Sequence, residues 1–345
     1  MNPRVRRSKH CGGAALPANR IPVDVATIRR MEDILQSLHH VTATVDDAQH
    51  DVDFATRLLG LRLVKKTVNF DNNGVYHFYY GDERGTPGTI WTTFPYKGKG
   101  VPPGVHGAGQ ITATSFSVPL GSLPSWKARL GAGGFSTEDR EPRFGEEAIA
   151  VNDPSGLVFE LRAASGDARP PWVAGGVESD AAIRGLHAVT LTVRDAQPTV
   201  RFLHDVLGFR SVNEEEGRTR LAVGSDAPGH IVEVVEARDA VPARNGLGTV
   251  HHVAFAIADA AEQLRAREEL LRLGVQVTPV MDRQYFRSIY FREPGGVLYE
   301  IATVPPGFTI DEGVPQLGSG LKLPPWEEPN RAAIEAGLPP VSVSQ

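Results

Sequence analysis

The sequence predicts an α+β fold built from four βαβββ modules. Three observations carry the prediction. Leu38-His39-His40-Val41-Thr42 recurs as Leu186-His187-Ala188-Val189-Thr190. At the same offset of 148 the identities continue through Asp47/Asp195, Ala48/Ala196, Phe54/Phe202, Leu59/Leu207, Gly60/Gly208 and Arg62/Arg210 without a gap. Two further units begin at Ile111–Val118 and at Val250–Ile257, offset from each other by 139. Self-similarity of this kind marks duplication and outranks local propensity as a guide to fold.

Each unit opens with an alternating strand, such as Val41, Ala43 and Val45 against Thr42 and Thr44, the period of a half-buried sheet. A helix of about three turns follows. The four helices are expected at 48–59, 122–130, 197–207 and 260–273. Gly60, Gly131, Gly208 and Gly274 stand where left-handed helix caps are expected. Two or three more strands complete the unit. The last strand follows a glycine turn at Pro87-Gly88, Ser155-Gly156, Pro228-Gly229 or Gly295-Gly296.

The 345 residues suit roughly two domains at about 150 residues each. Their 41% hydrophobic and 22% charged content is that of an ordinary globular chain. No run of 18 uncharged apolar residues occurs, which argues against a membrane-spanning helix and a membrane partner. The single cysteine, Cys11, excludes a thiolate zinc cluster and an internal disulfide scaffold, and it fits a reducing, cytoplasmic setting. The net charge of −5 is uneven: residues 1–30 carry +6 and the remaining 315 carry −11. An acidic body argues against nucleic acid as a partner. The expected division is a disordered or loosely packed basic extension at 1–36, modules 1 and 2 at 37–165 and a linker at 166–183. Modules 3 and 4 follow at 184–305, then a proline-rich tail at 306–345 that packs on the body or on a neighbouring subunit.

Four βαβββ modules in two pairs resemble the vicinal oxygen chelate superfamily of glyoxalases, bleomycin resistance proteins and extradiol dioxygenases. The resemblance covers residues 38–305 and implies two domains of cupped mixed sheets, with metal ligands on the first and last strands of a module. The repeat alignment then shows which positions can serve. The first-strand slot holds His40, Ala113, Ala188 and His252, while His187 aligns with His39 on the opposite strand face. The last-strand slot, four residues past the turn glycine, holds Thr92, Glu160, Glu233 and Glu300. Pairing modules 1 and 2 leaves His40 and Glu160, and pairing 3 and 4 leaves His252, Glu233 and Glu300. Only modules 1 and 4 together give two imidazoles and one carboxylate, His40, His252 and Glu300. That is the donor set of non-haem Fe(II) sites with open positions. Thr92 sits where glyoxalase I would need a fourth ligand. Glu160 and Glu233 read as relics or strand-end charges, and His77 reads as core.

Motifs outside the triad narrow the match. Leu38-His39-His40-Val41-Thr42, Gly85-Thr86-Pro87-Gly88-Thr89 leading to Thr92-Thr93-Phe94-Pro95, Tyr285-Phe286-Arg287-Ser288, and Pro294-Gly295-Gly296 leading to Glu300 occur together. The set resembles the hydroquinone ring-cleaving dioxygenases, the group of 2,6-dichlorohydroquinone 1,2-dioxygenase. The resemblance implies ligands from modules 1 and 4, with Arg283, Tyr290, His251, Thr42 and His39 around them. Tyr290 and His251 suit proton handling, and Arg283 suits anion stabilisation. Strand alternation turns His39 and His251 away from the metal face. The expected activity is ring cleavage of a hydroquinone-type aromatic by O2, with Fe(II) or else Mn(II) as cofactor. The expected partners are a small aromatic substrate and O2, and self-association into a homo-oligomer is left open. The alternatives are a glyoxalase-like isomerase or transferase and a non-catalytic aromatic-binding protein.

Overall fold

The structure is a computed structural model that describes residues 31, 34–173 and 175–343. The basic extension expected at 1–36 lies almost wholly outside the described residues. Each module supplies four strands and one helix in the expected order. Module 1 comprises β1 (Leu35–Val45), α1 (Ala48–Asp53), β2 (Arg62–Asn69), β3 (Asn72–Gly81) and β4 (Ile90–Pro95). Module 2 follows with β5 (Gln110–Pro119), α2 (Leu123–Ala132), β6 (Thr137–Arg143), β7 (Glu146–Asn152) and β8 (Val158–Ala164). Module 3 has β9 (Gly185–Val193), α3 (Ala196–Arg201), β10 (Arg210–Glu215), β11 (Arg218–Ala222) and β12 (Ile231–Glu236). Module 4 has β13 (Thr249–Ile257), α4 (Ala260–Arg272), β14 (Met281–Asp282), β15 (Arg287–Arg292) and β16 (Leu298–Thr303).

Aspartates begin three of these helices. Asp47, Asp195 and Asp259 each accept hydrogen bonds from the first-turn backbone N–H groups, which have no partner inside the helix. The helices of modules 1 and 3 differ from the regular three turns expected: each widens into a π-helical turn, at Phe54–Leu58 and Phe202–Val206. The bond from Leu59 N–H to the Phe54 carbonyl, five residues back, marks the change. Gly60, Gly208 and Gly274 have positive φ as expected, but in module 2 the left-handed residue is Gly134, not Gly131.

The sheets join modules that are distant in sequence. One runs β14-β15-β16-β13-β1-β4-β3-β2 and unites module 1 with module 4. The other runs β10-β11-β12-β9-β5-β8-β7-β6 and unites module 2 with module 3. The expectation that each half, 37–165 and 184–305, owns its own cupped sheet is therefore corrected. Antiparallel pairing of β1 with β13 and of β5 with β9 crosses between the halves. Consecutive modules meet instead through their helix-covered faces. Phe54 and Trp91 of module 1 pack on Phe159 of module 2, with ring centroids at 5.5 and 4.8 Å. Phe209 of module 3 packs on Phe255 of module 4 at 5.3 Å. Such buried aromatics contribute about 3–5 kcal/mol each against truncation to alanine.

The tail answers the question left open by the sequence, because it packs on its own module 1. Trp326 meets Phe70 edge-on at 5.6 Å, and Tyr76 donates to the Pro339 carbonyl at 2.9 Å. Phe308 lies 5.0 Å from the rings of both Tyr79 and Tyr285. Lys65, fully buried, is neutralised by Asp311 and Glu312 of the tail, each at 2.5 Å. The tail thus fills one part of the first cup and leaves the rest open.

Candidate metal centre

Strand register brings His40, His252 and Glu300 together. His40 pairs with Ala254 across β1–β13, and Ala254 pairs with Glu300 across β13–β16. His252 lies two residues before Ala254, on the same face of β13. His40 Nε2 is 3.3 Å from His252 Nε2, and Glu300 Oε2 lies 3.4 and 2.8 Å from those two nitrogens. All three residues are buried.

The other ring nitrogens have partners of their own. His40 Nδ1 is 2.9 Å from His39 Nδ1, and His252 Nδ1 is 2.7 Å from His251 Nδ1. Burial, then the neighbouring His40 or His252, pushes His39 and His251 down to about 3, so both are neutral. When the inner histidines donate from Nδ1 to the outer ones, both Nε2 atoms present lone pairs to the centre. Glu300 Oε2 has no hydrogen-bond partner among the described residues, while Ser288 donates to Oε1. Burial disfavours the Glu300 carboxylate, yet His40 and His252 hold its pKa well below the usual range. In that tautomer three lone-pair atoms lie within 4.8 Å of one another and form a site for a cation. The donor set fits a metal ion.

A cavity of about 570 Å³ opens on this centre. Its wall includes His40, Thr42, His251, His252, Arg283, Tyr290 and Glu300, so seven of the eight residues singled out in the sequence reach it. His39 is the exception and stands behind His40, against Phe286. Tyr290 pairs with Glu300 across β15–β16, and Arg283 Nε donates to its hydroxyl at 3.2 Å. Burial and the Glu300 charge push the Tyr290 phenol up, so it stays protonated. Arg283 also pairs with Asp71 at 3.0 Å.

The family model described as the Glyoxalase/Bleomycin resistance protein/Dioxygenase superfamily matches residues 185–301. The protein named Putative ring-cleaving dioxygenase MhqE, from Bacillus subtilis (strain 168), is 42% identical over 307 residues, 88% of this chain and 98% of that one. The chain belongs to this superfamily. The chlorohydroquinone/hydroquinone 1,2-dioxygenase of Sphingobium indicum is 36% identical over 307 residues, covering 87% of this chain and 94% of its own. A solved crystal structure described as a putative dioxygenase from Bacillus subtilis subsp. subtilis str. 168 superposes with a TM-score of 0.86. It is 40% identical and covers 90% of this chain and 99% of its own.

Within that superfamily fold, the fourth ligand slot is closed off. Thr92 is to His40 what Glu300 is to His252, as the register Thr42–Thr92 against Ala254–Glu300 shows. Its hydroxyl is 2.9 Å from His77 Nε2 and donates to Thr42 at 2.8 Å. His77, expected in the core, is buried but lines the cavity, as does Tyr79. Alternation along Tyr76-His77-Phe78-Tyr79-Tyr80 puts both on one face, a signal the sequence held. Nothing in the sequence marked that face as the inner one.

The second cup carries the equivalent positions without a metal set. Ala113, Glu160, Ala188 and Glu233 occupy symmetry-related places, Ser115 pairing with both Ala188 and Glu160 and Thr190 with both Ala113 and Glu233. Arginines replace the imidazoles. Arg162 bridges Glu160 and Glu233 at 2.9 Å each, and Arg143, Arg218 and Arg220 complete their coordination at 2.7–2.9 Å. Glu160 and Glu233 are fully buried network members, which corrects their reading as strand-end charges.

Proposed function

We propose that the chain is a non-haem Fe(II)-dependent dioxygenase that opens hydroquinone-type aromatic rings with O2. The observation that carries this reading is a buried set of two imidazoles and one carboxylate whose fourth protein position, Thr92, is engaged elsewhere. A three-ligand centre keeps the positions that two further reactants need, whereas a fourth protein donor would occupy one of them. The relatives named for ring cleavage, one of them for chlorohydroquinone and hydroquinone, support the substrate class.

His40, His252 and Glu300 would hold the metal, and when bound it would bring the ring oxygen and O2 together and pass electrons between them. Fe(II) suits two nitrogens and one carboxylate, and Mn(II) is the alternative occupant. The chain's own residues do the rest. His39 and His251 fix the tautomer and ring angle of the two histidines. Tyr290, protonated and tied to Arg283, offers a donor beside Glu300, where negative charge develops on oxygen. Arg283 keeps its charge because Tyr290 and Asp71 stabilise it against the cost of burial. Phe94 and Phe286 supply apolar walls that accept a flat ring. Both oxygen atoms enter the product, so the reaction needs no external reductant.

No helix among the described residues is long and apolar enough to cross a membrane. The single cysteine supports a reducing, cytoplasmic setting as part of the same reading. Protein loaded anaerobically with Fe(II) and then mixed with hydroquinones and O2 tests the proposal. One O2 consumed per ring opened is the expected result. Iron bound without oxygen uptake across a broad panel of hydroquinones would overturn it.

A further inference from the structure

Thr42, Thr92 and Tyr79 stand in one row across three adjacent strands of the first cup. Thr42 pairs with Thr92 across β1–β4, and Tyr79 pairs with Thr92 across β3–β4. His77, two residues before Tyr79 on the same face, links them. Its Nδ1 lies 2.8 Å from the Tyr79 hydroxyl and its Nε2 lies 2.9 Å from Thr92 Oγ1. Thr92 Oγ1 in turn donates to Thr42 Oγ1 at 2.8 Å. All four side chains are buried.

The direction of this chain follows from counting hydrogens. A hydroxyl has one to donate, and so does a neutral imidazole. Thr92 gives its hydrogen to Thr42, so at the contact with His77 the donor is His77 Nε2. Burial holds His77 well below its ordinary pKa, so it carries a single proton. His77 Nδ1 is therefore a lone pair and accepts from Tyr79, whose burial keeps its phenol protonated. Every hydrogen along the row points the same way. The Thr42 hydrogen alone is left over, and Thr42 lines the cavity two residues along β1 from His40.

We propose that His77 and Thr92 are positioning residues that aim the Thr42 hydroxyl hydrogen into the cavity, where it donates to the oxygen of an aromatic phenolate. The ligand class rests on the ring-cleavage reading, whereas the hydrogen-bond directions do not. A directed donor beside the metal centre favours the ionised ring oxygen over the neutral phenol. A Thr42 hydroxyl left free to rotate would spend part of its time accepting, which favours the neutral form. The relay also explains why a histidine stands on a cavity wall at a distance from His40, His252 and Glu300: its role is to hold Thr92, and through it Thr42.

The test uses the full-length protein loaded with zinc, which has no redox chemistry, and 4-nitrophenol as a probe whose ionisation is read by visible absorbance. The expected result is that His77→Phe raises the pKa of the bound probe by about one unit, a tenfold change in its ionisation constant. Thr42→Val should do the same, and the double variant should match Thr42→Val alone, because both act through one hydroxyl. His77→Gln, with an acceptor and a donor in nearly the same places, should recover part of the shift and serves as the test where His77→Phe does not fold. An unmoved probe in the His77 variants overturns the proposal, as do shifts that add in the double variant, which would give His77 a packing role. Failure of the zinc-loaded wild-type protein to bind the phenol overturns it as well. The titration uses neither O2 nor turnover, so a protein that consumes no oxygen overturns ring cleavage while the relay is decided by the probe.

Discussion

His251 Nδ1 lies 2.7 Å from His252 Nδ1, and the duplicated pair His39 and His40 repeats the contact at 2.9 Å. Each inner histidine thus has its outward nitrogen held by the residue before it in sequence. A rigid ring with one fixed tautomer binds metal better than a free one, and outer partners of this kind are worth 10–100-fold in affinity. His251→Phe and His39→Phe are each expected to weaken Fe(II) or Zn(II) binding by about tenfold or more. Competition against a chelator of known affinity measures this. Unchanged affinity in both variants would show that the nitrogen pairs do no orienting.

Thr92 occupies the position that Glu300 holds in module 4, so a carboxylate there would point at the same centre. Thr92→Glu is expected to tighten metal binding and to abolish oxygen consumption, because a fourth protein ligand takes a position that the reactants need. Metal affinity and oxygen uptake measured on the same preparation separate this outcome from simple damage to the site. Weaker metal binding in the variant would contradict it.

The second cup is held by charge rather than by metal. Glu233 takes Arg162 and Arg220 on one oxygen and Arg218 on the other, with no exposure to solvent. Glu233→Gln leaves those guanidinium groups facing one another and is expected to cost about 3–5 kcal/mol of folding stability. Denaturant unfolding measures the loss. Metal content per folded molecule should stay unchanged, since His40, His252 and Glu300 belong to the other sheet.

Two buried acids set a pH dependence of their own. Burial pushes Asp51 up to about 6 and Asp153 up to about 7, and Asp51 adds to the shift of Asp153. Their folded pKa values exceed the unfolded value near 4, so the folded state holds these protons more tightly. Stability from this pair is therefore highest at the acid end of the window, falls as pH rises from about 4 to 7, and stays reduced above 7. The Arg-paired Glu160, held at about 2, acts oppositely, and its contribution is lost only as pH falls below about 4. Asp51→Asn mimics the protonated acid, and it should flatten the change between pH 4 and 7 by on the order of 2 kcal/mol. Denaturation midpoints at pH 5 and pH 8 decide the matter. An unaltered slope would mean that Asp51 does not titrate in this range.

By itself the sequence determined the module, its four copies and the positions at which a metal could be held. Strand period fixes which residues share a face, and equal offsets carry that face from copy to copy, so His40, His252 and Glu300 were legible before any contact was known. The same arithmetic separated Thr92 from Glu300 and showed the second cup to lack imidazoles. The donor count singled out modules 1 and 4, but only the tertiary structure joined them, and modules 2 and 3, each pair in one sheet. The hydrogen bonds joining β1 to β13 and β5 to β9 link backbone groups more than 60 residues apart, and no local pattern encodes that choice. It also gave His77 its place. Alternation put His77 and Tyr79 on one face, but burial inside a core and burial around a cavity look alike in sequence. His39 and His251 show the limit from the other side: alternation turned them away from the centre, and ring-to-ring contact brought them back to it through their neighbours.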